Sequence, residues 1–221
     1  MSVDTELVLF DLDGTLIDSA PDLAGAANAM RLARSLAPLP LSALRPLVGS
    51  GARGMVGAAF GVKPGEDGFD ALRHEFLERY QAGLLEQTAV FADMASVLDR
   101  LDADSRRWGI VTNKAARFTQ PVVEGLRLHT RAAVVISGDT TAHSKPHPAP
   151  LLEAARRAGV DASACAYVGD DHRDIQAGRA AGMTTLAAAW GYLGQGDPID
   201  AWGAHAVLAD PAALLHWLQL A

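Results

Sequence analysis

Apolar runs and helical spacings alternate along most of the 221-residue chain. Leu7-Val8-Leu9-Phe10 is apolar without a break and gives way at once to Asp11-Leu12-Asp13-Gly14-Thr15. That is the pattern of a parallel strand buried on both faces and ending in a turn. The same pattern returns four times: Trp108 to Val111 before Thr112-Asn113-Lys114, Ala132 to Ile136 before Ser137-Gly138-Asp139, Cys165 to Val168 before Gly169-Asp170-Asp171, and Thr184 to Ala187 ahead of Trp190-Gly191-Tyr192. Helical patterns over Met94–Leu101, Ala115–Leu126, Ala149–Ala158 and Asp174–Ala181 lie between these runs, and Pro211–Leu220 predicts a closing helix. Strands alternating with helices predict an α/β fold with a doubly wound, mostly parallel sheet.

Residues 18–87 break the alternation. Ser19-Ala20-Pro21-Asp22 reads as a helix start, with proline in the first turn and Ser and Asp three apart. Leu23, Ala26, Ala27 and Met30 follow at helical spacing, and Leu72, Phe76 and Tyr80 recur every four residues. No strand pattern of comparable strength interrupts them. The simplest organisation is an α/β core of residues 1–17 and 88–221 with a small helical insert, residues 18–87, after the first strand.

Composition narrows the function classes. Apolar residues make up 49% and charged residues 20%, a globular balance. The net charge of −7 disfavours a nucleic-acid or anionic-membrane partner. No apolar run approaches the ~18 residues of a membrane span, and the acidic N-terminus lacks the basic region of a signal peptide. A single cysteine, Cys165, excludes an internal disulfide. The expected compartment is the cytoplasm, and the expected state is a monomer or homodimer. Only three lysines occur, Lys63, Lys114 and Lys145, so each one stands out among the arginines.

Doubly wound sheets bind ligands beyond the carboxyl ends of their strands. There the first strand delivers Asp11 and Asp13, the second Thr112, and the fourth Asp170 with Asp174 one helical turn on, while Lys145 sits in the loop after the third. Carboxylates of this kind suit Mg²⁺, which keeps several waters and bridges to phosphate. A carboxylate can attack phosphorus. A second, two residues on, can protonate the leaving oxygen and then deprotonate water. Lysine and threonine would stabilise charge on the transferring oxygens.

Asp11-Leu12-Asp13-Gly14-Thr15-Leu16, Val111-Thr112-Asn113-Lys114, Ser144-Lys145-Pro146 and Gly169-Asp170-Asp171-His172-Arg173-Asp174 resemble the four ordered motifs of the haloacid dehalogenase superfamily. The resemblance spans nearly the whole chain. It implies a Mg²⁺-dependent phosphatase of small phosphate monoesters, with Asp11 as nucleophile and Asp13 as general acid and base. It further implies that Thr112, Asn113 and Lys145 hold the transferring phosphate. Asp170 would bind Mg²⁺ with Asp11 and the carbonyl of Asp13, while Asp174 would support the site as a Lys145 partner or through water. The insert then looks like the superfamily's small helical cap, which closes over the site and excludes water.

Two subfamilies fit. Phe10–Pro21, Lys145–Leu152 and Gly169–Gly182 are similar to bacterial phosphoglycolate phosphatases. Gly51–Val56, Phe76–Tyr80 and Trp202–Ala204 are similar to phosphatases of N-acetylmuramic acid 6-phosphate. The core motifs rank phosphoglycolate first. A sugar phosphomutase would share every core residue. A phospho-accepting switch domain and a dehalogenase are disfavoured by Asp13, which promotes turnover of a phosphoryl intermediate.

Gly49-Ser50-Gly51-Ala52-Arg53-Gly54 matches G-x-G-x-x-G, but no strand precedes it, as a dinucleotide site requires. A cap loop reaching the substrate is the better reading, with Arg53 as its fixed charge. Lys114 is open to two readings, a phosphate or supporting group and a solvated side chain. His147 and the tryptophans Trp190, Trp202 and Trp217 are read as structural, and buried Cys165 as inert.

Overall fold

Leu7–Phe10 forms strand β1, and all four residues are wholly buried. Their alternating side chains feed two cores: Val8 and Phe10 pack on one side of the sheet, Leu7 and Leu9 on the other. Layers on both faces are what an unbroken apolar strand demands. The computed structural model describes residues 5–220.

In chain order, β1 is followed by β2 (Ile17–Asp18), α1 (Ala20–Leu32), α2 (Leu41–Leu44), α3 (Gly51–Phe60), α4 (Phe69–Ala82) and β3 (Ala89–Val90). Then come α5 (Ala92–Ala103), β4 (Arg107–Val111), α6 (Ala116–Gly125), β5 (Val135–Ile136), α7 (Ala149–Ala158), β6 (Cys165–Gly169), α8 (His172–Ala180), β7 (Thr184–Ala188), β8 (Ala206–Leu208) and α9 (Ala212–Trp217). Among the described residues six strands form one parallel sheet in the order β5-β4-β1-β6-β7-β8. The strand order reverses beside β1, so its carboxyl end lies at the switch point where such sheets bind ligands. No helix among the described residues is long and apolar enough to cross a membrane.

Four features depart from the sequence reading. The run Ala132–Ile136 contributes only Val135–Ile136 as strand. Before it, Ala133 and Val134 exchange single hydrogen bonds with β4 without a continuous ladder. β8 closes the opposite edge and was not anticipated; three residues with one exposed valine carry too little periodicity. β2 and β3, two residues each, pair antiparallel where the chain leaves and rejoins the sheet domain, Ile17 facing Val90 and Asp18 facing Ala89. Finally, the glycine-rich stretch 49–54 is not a loop. A 3₁₀ turn over Arg45–Ser50 runs straight into α3. Gly54 permits that junction, because a Cβ there would lie 2.6 Å from Ser50 Cβ and 2.9 Å from the Leu47 carbonyl.

The predicted start of α1 stands, but not as a capping box. Ser19 makes no side-chain cap, and its hydroxyl donates instead to Asp13 Oδ1 at 2.5 Å. Asp22 reaches across to the chain entering β3, accepting from the Gln87 and Thr88 amides and the Thr88 hydroxyl.

Candidate active site

Each strand end delivers one piece of chemistry. Asp11 leaves β1 with its amide still bonded to the Val168 carbonyl of β6, so the neighbouring strand fixes its position. Thr112 follows β4, and its amide is bonded to Ile136 of β5. Asp170 follows β6, and Asp174 sits in the first turn of α8. Lys145 enters from the loop after β5, where Asn113 grips it: the Asn113 amide donates to the Lys145 carbonyl and accepts from the Lys145 amide, both at 2.9 Å. The Asn113 side chain, expected on substrate, also holds the lysine loop in place.

The Lys145 ammonium is 2.9 Å from Asp11 Oδ1, 2.7 Å from Asp174 Oδ1, 3.1 Å from the Val111 carbonyl and 2.7 Å from the Tyr167 hydroxyl. Burial opposes its charge, yet the two carboxylates outweigh burial and hold its pKa above the ordinary lysine value. Tyr167 lies in the middle of β6 and gave no chemical signal in the sequence; its hydroxyl touches Lys145, Val111 and Asp174 from below. Burial raises the Tyr167 phenol far above its usual range, so it remains neutral.

Asp11, Asp170 and Asp174 bring carboxylate oxygens within 4.8 Å of one another. The Asp11 pKa is pushed up to about 7, by burial first and by Asp174 as well, against the pull of Lys145. Burial, then the charges of Asp11 and Asp174, raise Asp170 well above the carboxylate range, although the Tyr192 amide and the Thr15 hydroxyl donate to it. Among the described residues, buried Asp11 Oδ1 has no hydrogen-bond partner besides the Lys145 ammonium that pairs with it at 2.9 Å. Two glycines press close on Asp170: a Cβ on Gly14 would lie 2.2 Å from its Oδ2, and one on Gly191 would lie 2.1 Å from its Cβ. An all-oxygen cluster with a buried oxygen that has a single partner fits a hard divalent cation. Asp13's carboxylate is outside this cluster, so only its carbonyl is left as the ligand the resemblance implies.

Asp13 is instead held by a lysine. Lys114 Nζ lies 2.9 and 3.1 Å from its two oxygens and donates to the Tyr80 hydroxyl of α4 at 2.6 Å. Neither reading of Lys114 gave it a partner; sequence spacing could not link it to Tyr80, which looked like one more core position of a helix. Asp171, given no role from sequence, caps α8 and pairs with Arg173, whose guanidinium reaches the Gly49 carbonyl at 2.5 Å.

A cavity of about 450 Å³ opens above this floor and is bordered by all eight predicted site residues: Asp11, Asp13, Arg53, Thr112, Asn113, Lys145, Asp170 and Asp174. Its wall also includes Leu23, Phe76, Leu77 and Phe118, and two arginines the sequence reading passed over, Arg73 and Arg117. Three further side chains have simple places. His172 stacks on Trp202, the His147 ring lies against His143, and Cys165 is buried, which raises its thiol pKa to about 11.

A doubly wound sheet with paired aspartates after β1 defines the class, and comparison with known proteins agrees. The family model for haloacid dehalogenase-like hydrolases matches residues 8–188, and the chain belongs to that family. It is 49% identical over 208 residues to a phosphoglycolate phosphatase of Xanthomonas campestris pv. campestris strain 8004, covering 94% of this chain and 93% of that one. It is 42% identical over 207 residues to the N-acetylmuramic acid 6-phosphate phosphatase of Pseudomonas putida KT2440, covering 94% and 93%. A crystal structure of a predicted phosphoglycolate phosphatase from Haemophilus somnus 129PT superposes with a TM-score of 0.84 at 26% identity, covering 96% of this chain and 97% of the other.

Proposed function

We propose that this chain is a Mg²⁺-dependent phosphatase of small, carboxylate-bearing phosphate monoesters, with 2-phosphoglycolate as its first substrate. The observation that carries the reading is Asp11: a half-buried carboxylate at a strand end, beside Lys145, with a second carboxylate two residues on. The nucleophile must reach the cavity: Asp11 borders it with its side chain 13% exposed, while Oδ1 is turned to Lys145. It attacks phosphorus, and the bond from phosphorus to the ester oxygen breaks. Asp13 delivers a proton to that leaving oxygen. Asp13 then takes a proton from water, whose oxygen attacks phosphorus and breaks the acyl-phosphate bond, freeing phosphate and restoring Asp11.

Thr112 and Lys145 hold the phosphoryl oxygens, and Lys145 counters the charge that gathers on them. Asp174 keeps Lys145 charged and in place. Asp11, Asp170 and the Asp13 carbonyl would hold Mg²⁺, which when bound neutralises the two carboxylates and the phosphoryl oxygens. Residues 18–87 act as the cap over a core of residues 1–17 and 88–221, and the β2–β3 ribbon is where it pivots.

The cavity favours a second reading. A two-carbon acid fills a small part of a space of about 450 Å³. N-acetylmuramic acid 6-phosphate would bring a sugar body to the aromatic wall and a distant carboxylate to the arginines. A panel of phosphate esters assayed with Mg²⁺ tests both. Turnover of 2-phosphoglycolate above all others supports the first reading, and a preference for the amino sugar supports the second. Asp11→Asn should lower kcat by orders of magnitude; a loss under tenfold, ~1.4 kcal/mol in the barrier, overturns the covalent mechanism.

A further inference from the structure

The helical insert reaches the proposed acid and base at two points, directly from Ser19 and through Lys114 from Tyr80. Lys114 has three ammonium hydrogens, and the structure directs them at Asp13 Oδ1, Asp13 Oδ2 and the Tyr80 hydroxyl, at 2.9, 3.1 and 2.6 Å. Its side chain is only 7% exposed, and its nitrogen also lies 4.7 Å from the Tyr80 ring centre. The Lys114 amide bonds to the Thr112 hydroxyl, so the lysine springs from the backbone that carries the phosphate-binding threonine. Tyr80 is fixed in turn: its ring packs at 6.4 Å from Phe76 and 5.6 Å from Phe118, centre to centre. Phe118 belongs to α6, so the aromatic group straddles the two sides of the cavity. Among the described residues Asp13 has one further side-chain partner, Ser19, at the foot of α1. Both external supports of the Asp13 carboxylate thus run to the start or the end of the helical segment.

We propose that Tyr80 is a positioning residue for Asp13, acting through Lys114: with the helical segment seated, its hydroxyl fixes the ammonium that holds the Asp13 carboxyl toward the leaving oxygen. The inference rests on Asp13 being the acid and base. Without the hydroxyl, Lys114 keeps its charge but loses its anchor, and swings about its flexible stem. The ammonium no longer holds one carboxyl rotamer, and orientation is where much of a proton transfer's efficiency lies. An unseated insert withdraws Tyr80 in the same way, so proton delivery is coupled to enclosure of the substrate.

The test compares leaving groups. Tyr80→Phe keeps the aromatic packing and removes one oxygen. Its kcat on the preferred alkyl ester should fall at least tenfold. The pre-steady-state burst on p-nitrophenyl phosphate, whose phenolate leaves without a proton, should fall at most threefold. Lys114→Met should show the same split, and the double variant should be no worse than Lys114→Met alone, since the two act as one unit. Thermal denaturation of each variant accompanies the kinetics. Equal losses on both esters, or additive losses in the double variant, overturn the inference. So does a rise in KM on every ester for Lys114→Met, which would make the lysine a phosphate ligand. Asp13→Asn run alongside separates the failures. If it shows the leaving-group split while Tyr80→Phe behaves as wild type, the inference alone falls; if it shows no split, the acid–base reading falls and takes the inference with it.

Discussion

Asp11 and Asp170 are carboxylates held out of water against one another, and their shared charge makes a cation useful at the level of single residues. Asp11 moves from 3.8 to about 7, chiefly through burial. Between those values the folded chain binds more protons than the unfolded chain, so the metal-free fold loses stability as pH rises through that window. A divalent cation held by these carboxylates would take the place of the protons. The gain in Tm on adding Mg²⁺ should therefore be small near pH ~5 and grow toward pH ~8. Equal gains at both pH values, read by differential scanning calorimetry, would contradict this arrangement. Of these residues the sequence betrayed the ones that end strands, because a polar residue after an apolar run marks a place. Tyr167 escaped, since a tyrosine inside a strand looks like packing until its hydroxyl is seen under Lys145. Asn113 was legible as a site position but not as the clamp on the Lys145 main chain, because residues 32 apart in sequence carry no local signal of their pairing.

Among the elements, the long periodic ones were legible and the shortest were not. β1 and β6 are unbroken buried runs, β4 is one after its exposed Arg107, β7 is buried throughout although it opens on two threonines, and α7 spans the stretch its spacing predicts. The β2–β3 ribbon has two residues a side, too few to show a period of two. Its stability comes from outside the ribbon, in a side chain the sequence reading assigned to helix initiation. Asp22, 5% exposed, accepts from Thr88 N at 2.8 Å, Thr88 Oγ at 2.6 Å and Gln87 N at 2.9 Å. It thereby ties the first turn of α1 to the strand that re-enters the sheet domain. Asp22→Ala leaves a buried amide and hydroxyl without an acceptor, which should cost about 2–4 kcal/mol in urea unfolding. Asp22→Asn, which keeps one acceptor, should lose less. A loss under ~1 kcal/mol for the alanine variant would show that the ribbon is held by its own pairing and by packing.

At the scale of the whole molecule the cavity divides into a floor and a mouth. The floor charges are largely paired: Lys145 with Asp11 and Asp174, Lys114 with Asp13, Arg173 with Asp171. Arg53 on α3, Arg73 on α4 and Arg117 on α6 border the same space from both sides, all three exposed. The phosphoryl end is common to every substrate, so choice among substrates must come from these groups and the apolar wall. A guanidinium fork binds a carboxylate through two parallel hydrogen bonds, and a lysine would not reproduce that geometry. Arg53→Ala should lower kcat/KM at least tenfold on the preferred carboxylate ester, about 1.4 kcal/mol or more, and little on p-nitrophenyl phosphate. Arg73→Ala and Arg117→Ala discriminate between the two readings. They should matter for N-acetylmuramic acid 6-phosphate, whose carboxylate lies far from its phosphate. They should scarcely affect 2-phosphoglycolate, a molecule too short to engage several separated forks at once. Arg117 also stacks 4.4 Å from the Phe118 ring centre, so Arg117→Lys is the better control for lost packing. If all three alanine variants lower kcat/KM equally on carboxylate and aryl esters, the arginines serve the phosphate or the fold, and the mouth has no part in selecting the substrate.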